Sequence, residues 1–214
     1  MINKIKASLS EKILFIFLIS LAAFSFSFFF IIKNKCFFIK EINPEEIQFD
    51  NPENIAIMNV ECGNVIIELY PNFSPKAVGR FKYLIQKGSY DKSSFYKVIK
   101  DTLVQAGDIE FGNIDNINYF KVGSGRSGLG ALNSELNDVF KFDEGSVALA
   151  RGTELNTEDS EFFIILKKID LYNGEYTPIG KVIHGLEALK KIKSANKSGY
   201  VLRPDFINYI KLLD

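Results

Sequence analysis

Two polar side chains in one short stretch carry the chemistry of this chain. The run Phe95-Tyr-Lys-Val-Ile-Lys-Asp-Thr-Leu-Val-Gln-Ala-Gly-Asp108 reads as a strand over Phe95 to Ile99, a polar corner at Lys100-Asp101, and a second strand over Thr102 to Gln105. Side chains alternate along a strand, so Lys97 and Gln105 are expected on one face beside apolar neighbours. A cation and an amide held there are both hydrogen-bond donors. Other chemistries have little to work with. The only histidine, His184, stands in Ile-His-Gly-Leu and reads as a solvent-facing turn residue. Cys36 and Cys62 lack metal-ligand spacing. Zinc chemistry and a Ser-His-Asp triad therefore lose most of their support. A disulfide between the cysteines is allowed by the sequence and not implied by it.

The elements that must position this pair follow from the pattern around it. Ile55-Ala-Ile-Met-Asn-Val and Val65-Ile-Ile-Glu-Leu-Tyr flank a Gly-Asn turn and predict a β-hairpin. Ser74 is a candidate helix N-cap with Pro75 at the first helical position. Ala77, Val78, Phe81, Leu84 and Ile85 then recur at helical spacing up to Gly88. Further strands are expected at 95–99, 103–105, 146–150, 162–166, 178–182, 201–202 and 206–213, with a second helix from Leu186 to Lys193. Many short strands and two helices predict a mainly β fold, a closed eight-stranded antiparallel barrel capped by two α-helices.

The N-terminus is of another kind. Ile13 to Ile32 is an uncharged apolar run of about 20 residues, long enough as a helix to cross a bilayer of about 30 Å. A cleaved signal is the competing reading, but its apolar core is usually about 7–15 residues and ends at small residues. A transmembrane anchor is expected over 13–32, after an N-terminal flank over 1–12. A tether over 33–54 and a domain over 55–214 follow. Lys4, Lys6 and Lys12 precede the span and Lys33, Lys35 and Lys40 follow it, so flanking charge barely codes the orientation. An inner-membrane, single-pass chain with a periplasmic domain is the expectation. The 26 basic and 26 acidic residues balance, which excludes a nucleic-acid footprint. A monomer is expected.

The Phe95–Asp108 run resembles the cyclophilin signature, approximately F-H-R-V-I-x-x-F-M-x-Q-G-G-D. Four more blocks resemble that family in order: Val65 to Val78, Gly145-Ser-Val-Ala-Leu-Ala-Arg, Ser160-Glu-Phe-Phe-Ile, and Ile179-Gly-Lys-Val. The resemblance covers Ile55 to Leu213, is closer to bacterial members, and implies peptidyl-prolyl cis-trans isomerase activity on proline-containing polypeptides without a cofactor or metal. It implies Lys97 and Gln105 as catalytic residues. It implies a substrate groove of Thr102, Leu103, Ala150, Arg151, Glu161, Phe163, Leu171 and Tyr176. From the residues alone, Leu103, Ala150 and Phe163 read first as core or surface-strand positions. The resemblance turns Phe163 into the floor of a proline pocket.

The departures from the pattern point one way. Lys97 stands where the family has arginine, Thr102 for Phe, Glu161 for Gln, and Leu171 where Trp or Phe is common. Tyr176, in place of a His, keeps a donor. Lysine keeps the charge but lacks arginine's planar fork. A weak isomerase is expected, with a catalytically impaired proline-binding module or an envelope interaction domain as the alternatives. Two ion-pair possibilities arise: Glu161 with Lys97 or with Arg151. Arg151 is also a candidate to stand in for the missing arginine.

Overall fold

The computed structural model describes residues 8–33, 35–195 and 199–213. Lys4, Lys6 and Asp214 therefore lie outside the described residues. The chain divides into two units, 1–38 and 39–214, each taken by itself.

The first unit holds helix α1, Leu9–Lys33. Its segment Leu9–Phe29 is long and apolar enough to cross a membrane and buries nothing within the protein. An apolar helix with no polar stripe has no soluble core to face. Cys36 and Cys62 are both disulfide-bonded and no cysteine is free. Disulfides persist in oxidising compartments. The apolar N-terminal helix, as signal or anchor, and the oxidised cysteines together point to an extracytoplasmic location.

The second unit is built on eight antiparallel strands. They are β1 (Ile55–Val60), β2 (Gly63–Leu69), β3 (Lys97–Ile99), β4 (Leu103–Ala106), β5 (Ser146–Leu149), β6 (Phe162–Ile165), β7 (Pro178–His184) and β8 (Ile207–Leu212). They run in the order β3-β4-β6-β5-β7-β2-β1-β8 as one curled sheet. The strands β3 and β8 end the ladder, so the continuous closed barrel expected from sequence is not formed. Single bridges, Ser94 with Phe206 and Lys97 with Tyr200, connect the flanking segments across the gap. Backbone bonds from Val201 N to Tyr96 O (2.8 Å) and from Phe95 N to Asp205 O (2.9 Å) satisfy groups that an open edge would leave bare. Residues 201–202 are thus irregular, where a strand was expected.

The period-2 alternation decides what lies on each face. Val98, Val104, Ile164 and Val147 are successive cross-strand partners, and all are buried. The neighbouring row on the other face runs Lys97, Gln105, Phe163, Ala148, Pro178. A slip of one residue would exchange the two rows.

Helix α2 (Pro75–Gln86) buries Ala77, Val78, Phe81, Leu84 and Ile85, the stripe its spacing predicts. Phe81 meets Tyr90 and Phe162, each at 5.1 Å between ring centres. Ser74 does not cap with its side chain; its Oγ donates to Pro178 O instead. The Glu135 carboxylate takes the free amides of Lys76 and Ala77 at 3.2 and 2.9 Å, a cap from a distant loop. The second expected helix is only one turn, α3 (Leu186–Leu189), entered through Gly185 at φ +84°. A Cβ there would lie 2.2 Å from Asn64 O, which limits the position to glycine.

Residues 39–54, read from sequence as part of a tether, lie with this unit. Ile42, Ile47 and Phe49 pack with Leu213 on Ile55, Ile57 and Ile66.

Candidate active site

The β3–β4 hairpin sets the first two site residues. Its corner includes Asp101 at φ +52°, a left-handed position tolerable for a short polar side chain. Thr102 N donates to Ile99 O at 3.0 Å and closes the turn. That register puts Lys97 directly opposite Gln105 and Gln105 opposite Phe163. Direct cross-strand partners lie about 4.5–5.5 Å apart at Cβ, so the three side chains form one continuous surface.

A cavity of about 180 Å³ opens beside this row. Lys97, Gln105, Ala150, Arg151 and Glu161 line it, with Tyr96, Arg126, Asp159 and Tyr200 among the rest. Five of the residues expected from sequence therefore converge on one space. Leu103, Phe163 and Tyr176 belong instead to an adjoining apolar cluster with Phe140, Phe142 and Ala148, which Ala150 also touches. Phe163 is only 3% exposed, because Tyr176, Tyr172 and Phe142 surround it at 5.0, 5.8 and 6.4 Å between ring centres. Thr102 lines neither; its Oγ1 donates to Lys100 O at 3.1 Å. Leu171 stands in a short 3-10 turn, Asp170–Tyr172, and is 86% exposed.

The polar groups pair differently from the sequence expectation. Glu161 pairs with neither Lys97 nor Arg151. Its Oε2 accepts from Tyr96 Oη at 2.5 Å and from Gln105 Nε2 at 3.0 Å. Gln105 Nε2 also donates to Tyr96 Oη. Burial raises the Glu161 carboxyl above its usual range; the Tyr96 hydrogen bond opposes this, the Asp108 charge adds to it, and Gln105 and Arg126 oppose it. Burial first, and then the Glu161 charge, push the Tyr96 hydroxyl far up, so it stays protonated. Among the described residues no side chain bonds to the Lys97 ammonium.

Arg151 is held in place. Its Nε donates to Glu175 O, and its Nη1 to Gly152 O and Thr153 O, each at 3.1 Å. Its Nη2 lies 3.5 Å from Glu175 Oε2, and its guanidinium stacks 5.0 Å from the Tyr176 ring centre. Arg126 comes from a loop anchored by buried Asp108. That carboxylate accepts from the amides of Glu110, Phe111, Gly123 and Gly125. Asp159 is engaged by Arg80 in a nearly buried ion pair and by Ser127.

Sequence reasoning missed Tyr96, Arg126, Phe142 and Tyr172. Tyr96 was within reach, since it immediately precedes Lys97 in the same motif. Tyr172 also adjoins Leu171 in one short turn, whereas Arg126 and Phe142 arrive on loops that no local pattern marks. Among the described residues no group of three His, Cys, Asp or Glu side chains is placed to hold a metal ion.

A curled eight-stranded antiparallel sheet with helices, carrying this half-polar and half-aromatic surface, is a cyclophilin-like fold. The family described as cyclophilin type peptidyl-prolyl cis-trans isomerase/CLD matches residues 55–211. A probable peptidyl-prolyl cis-trans isomerase of Brucella suis is 37% identical over 160 residues, 73% of this chain and 81% of the relative. The peptidyl-prolyl cis-trans isomerase ppi1 of Schizosaccharomyces pombe is 29% identical over 140 residues, 63% of this chain and 82% of its own. A Cryptosporidium parvum cyclophilin, solved in the presence of the dipeptide Ala-Pro, superposes with a TM-score of 0.64 at 27% identity, covering 75% of this chain and 99% of that one. A Hirschia baltica cyclophilin shares the fold at 20% identity, with a TM-score of 0.63 over 81% of each chain. The chain belongs to the cyclophilin-type peptidyl-prolyl cis-trans isomerase family.

Proposed function

We propose that the domain is a weak peptidyl-prolyl cis-trans isomerase acting on proline-containing polypeptides at the outer face of a bacterial inner membrane, with α1 as its anchor. The cross-strand alignment of Lys97, Gln105 and Phe163 carries the reading. A peptide bond resists rotation by about 18–20 kcal/mol because twisting breaks amide resonance. The proline nitrogen becomes pyramidal in the twisted state and gains a lone pair. A donor aimed at that nitrogen stabilises the twisted state and not the planar ones, which is the condition for acceleration. In this reading Lys97, which lines the cavity opposite Gln105, supplies it. Gln105 faces the flanking backbone, Ala150 and Arg151 border the same space, and half-buried Tyr176, packed against the cluster of Leu103 and Phe163, offers apolar surface for the ring. No cofactor has a part in these steps.

Three features support low activity. A lysine ammonium on four rotatable bonds is a less fixed donor than a guanidinium. Glu161 adds negative charge in the same cavity. Leu171 and Thr102 extend no apolar wall over Phe163. A second reading, a module that binds proline segments with little turnover, is favoured by Lys97, Thr102 and Glu161 standing where the family pattern has Arg, Phe and Gln. The balanced charge supports a reading without nucleic acid, and the protein acts as a monomer in this proposal.

Exchange NMR on a proline peptide, with the full chain in detergent micelles, tests the enzyme. Faster cis–trans exchange, lowered at least about tenfold by Lys97→Ala, is expected; peptide binding without acceleration refutes turnover and leaves the binding module. Alkaline extraction of membranes and sequencing of the mature N-terminus test the anchor. A mature chain beginning after residue 32 removes it.

A further inference from the structure

Glu161, Tyr96 and Gln105 form a closed triangle of hydrogen bonds inside the groove. A carboxylate only accepts, so the Gln105 amide must turn its nitrogen toward it. The Tyr96 hydroxyl spends its one proton on Glu161 Oε2 and offers its lone pair to the same Gln105 nitrogen. The Gln105 nitrogen is thereby committed inward, to two acceptors that lie side by side. The end of Gln105 left for the cavity is the acceptor Oε1. A peptide carbonyl lying there meets an acceptor, which repels it, where a donor would hold it.

We infer that ionised Glu161, acting with Tyr96, is a positioning residue that turns the Gln105 donor away from bound peptide and so attenuates this groove. Once Glu161 is protonated or replaced by glutamine, the side chain at 161 can itself donate to Gln105 Oε1. The Gln105 amide then turns over and presents Nε2 to the substrate. Loss of the carboxylate also removes a negative charge from the cavity that holds the Lys97 donor. Both effects strengthen the hold on the twisted peptide. This rests on the isomerase reading for its kinetic part only; the orientation of the amide is a property of the unliganded site.

The groups facing Glu161 come from several elements. Tyr96 precedes β3, Gln105 is on β4, and Asp108 and Arg126 belong to the loop beyond it. Lys97, Arg151, Asp159 and Tyr200 complete the lining. Tyr96 stays protonated, and Asp159 is held by Arg80. Burial raises the Glu161 carboxyl, so it takes up its proton earlier than an exposed glutamate as pH falls.

Two readouts on the full chain in micelles test this. Selective 15N labelling follows the Gln105 side-chain amide, and exchange NMR on a proline peptide follows turnover. Expected in the wild type is a shift of the Gln105 amide resonances as pH falls, with turnover rising roughly two- to tenfold over the same range, the effect of one directed hydrogen bond. Glu161→Gln is expected to hold both at their low-pH values across the range. Tyr96→Phe, which keeps the ring, is expected to weaken the amide shift. Gln105 resonances that ignore both pH and Glu161→Gln in a folded protein overturn the inference. So does turnover that falls in Glu161→Gln while the amide moves as expected. A wild type that gives no turnover at any pH overturns the isomerase reading, and the amide resonances still decide the positioning role.

Discussion

Replacing Lys97 by alanine is expected to cost this protein more turnover than replacing Arg151. Both cations border the same cavity, and either would compensate for the arginine that the family motif carries at position 97. The structure separates them. Arg151 commits its Nε and Nη1 to three backbone carbonyls, lies near Glu175, and stacks on Tyr176. Turning it toward a substrate would break those contacts. Lys97 has no such commitments among the described residues and stands opposite Gln105. A charge-assisted hydrogen bond made only in the transition state is worth roughly 1.5–3 kcal/mol, so Lys97→Ala should lower kcat/KM roughly 10- to 150-fold. Arg151→Ala should lower it less than about threefold, while costing about 1–2 kcal/mol of stability through lost hydrogen bonds and ring stacking. Lys97→Arg should raise turnover, because the planar fork is a better-fixed donor. Exchange NMR on a proline peptide gives the rates, and urea unfolding of the same preparations gives the stabilities. An equal or larger kinetic loss in Arg151→Ala, in a protein that remains folded, refutes the argument and makes Arg151 the donor.

Other outcomes follow from the same contacts. The Glu161 carboxyl is raised above its ordinary value of 4.5, so the native state holds its proton more tightly than the unfolded chain does. Its stabilising effect is full below the unfolded value and is lost as pH rises through the higher native one. The melting temperature of Glu161→Gln relative to wild type should therefore climb across that window, and a flat difference would contradict the burial argument. Phe163→Ala should cost about 3–5 kcal/mol in urea unfolding, since the ring is enclosed by three others; a loss below about 1 kcal/mol would mean that the ring is not packed as described. Asp159→Ala should cost about 3–5 kcal/mol by leaving Arg80 charged, nearly buried and unpaired, and the Asp159→Ala, Arg80→Met double variant should recover part of it.

The hairpin of β1 and β2, the buried stripe of α2 and the strands of the groove were legible because each is local. Alternation fixes which residues of a strand share a face, and helical spacing fixes which residues of α2 turn inward. The pairing of Lys97 with Gln105 needed only a short turn between two short strands. The same locality explains the misses. Ser74 has the sequence of an N-cap, yet Glu135 provides the cap, because a loop some 60 residues away brings a carboxylate to the helix end. The expected barrel ends as a curled sheet because only isolated bridges at Tyr200 and Phe206, and single backbone bonds such as Val201 N to Tyr96 O, span the gap.

The residues that line the cavity could be named from sequence in part, and their partners were set by the fold. An apolar run too long for most signal cores, a β-rich domain, a lysine and glutamine on one face, and a carboxylate at position 161 can all be read along the chain. That Glu161 bonds to Tyr96 and Gln105, and that Arg151 turns to Glu175 and Tyr176, cannot. Hydrogen bonds between side chains depend on separations of a few tenths of an ångström. Those separations are fixed only when strands distant in sequence lock into register and the loops between them close over the surface.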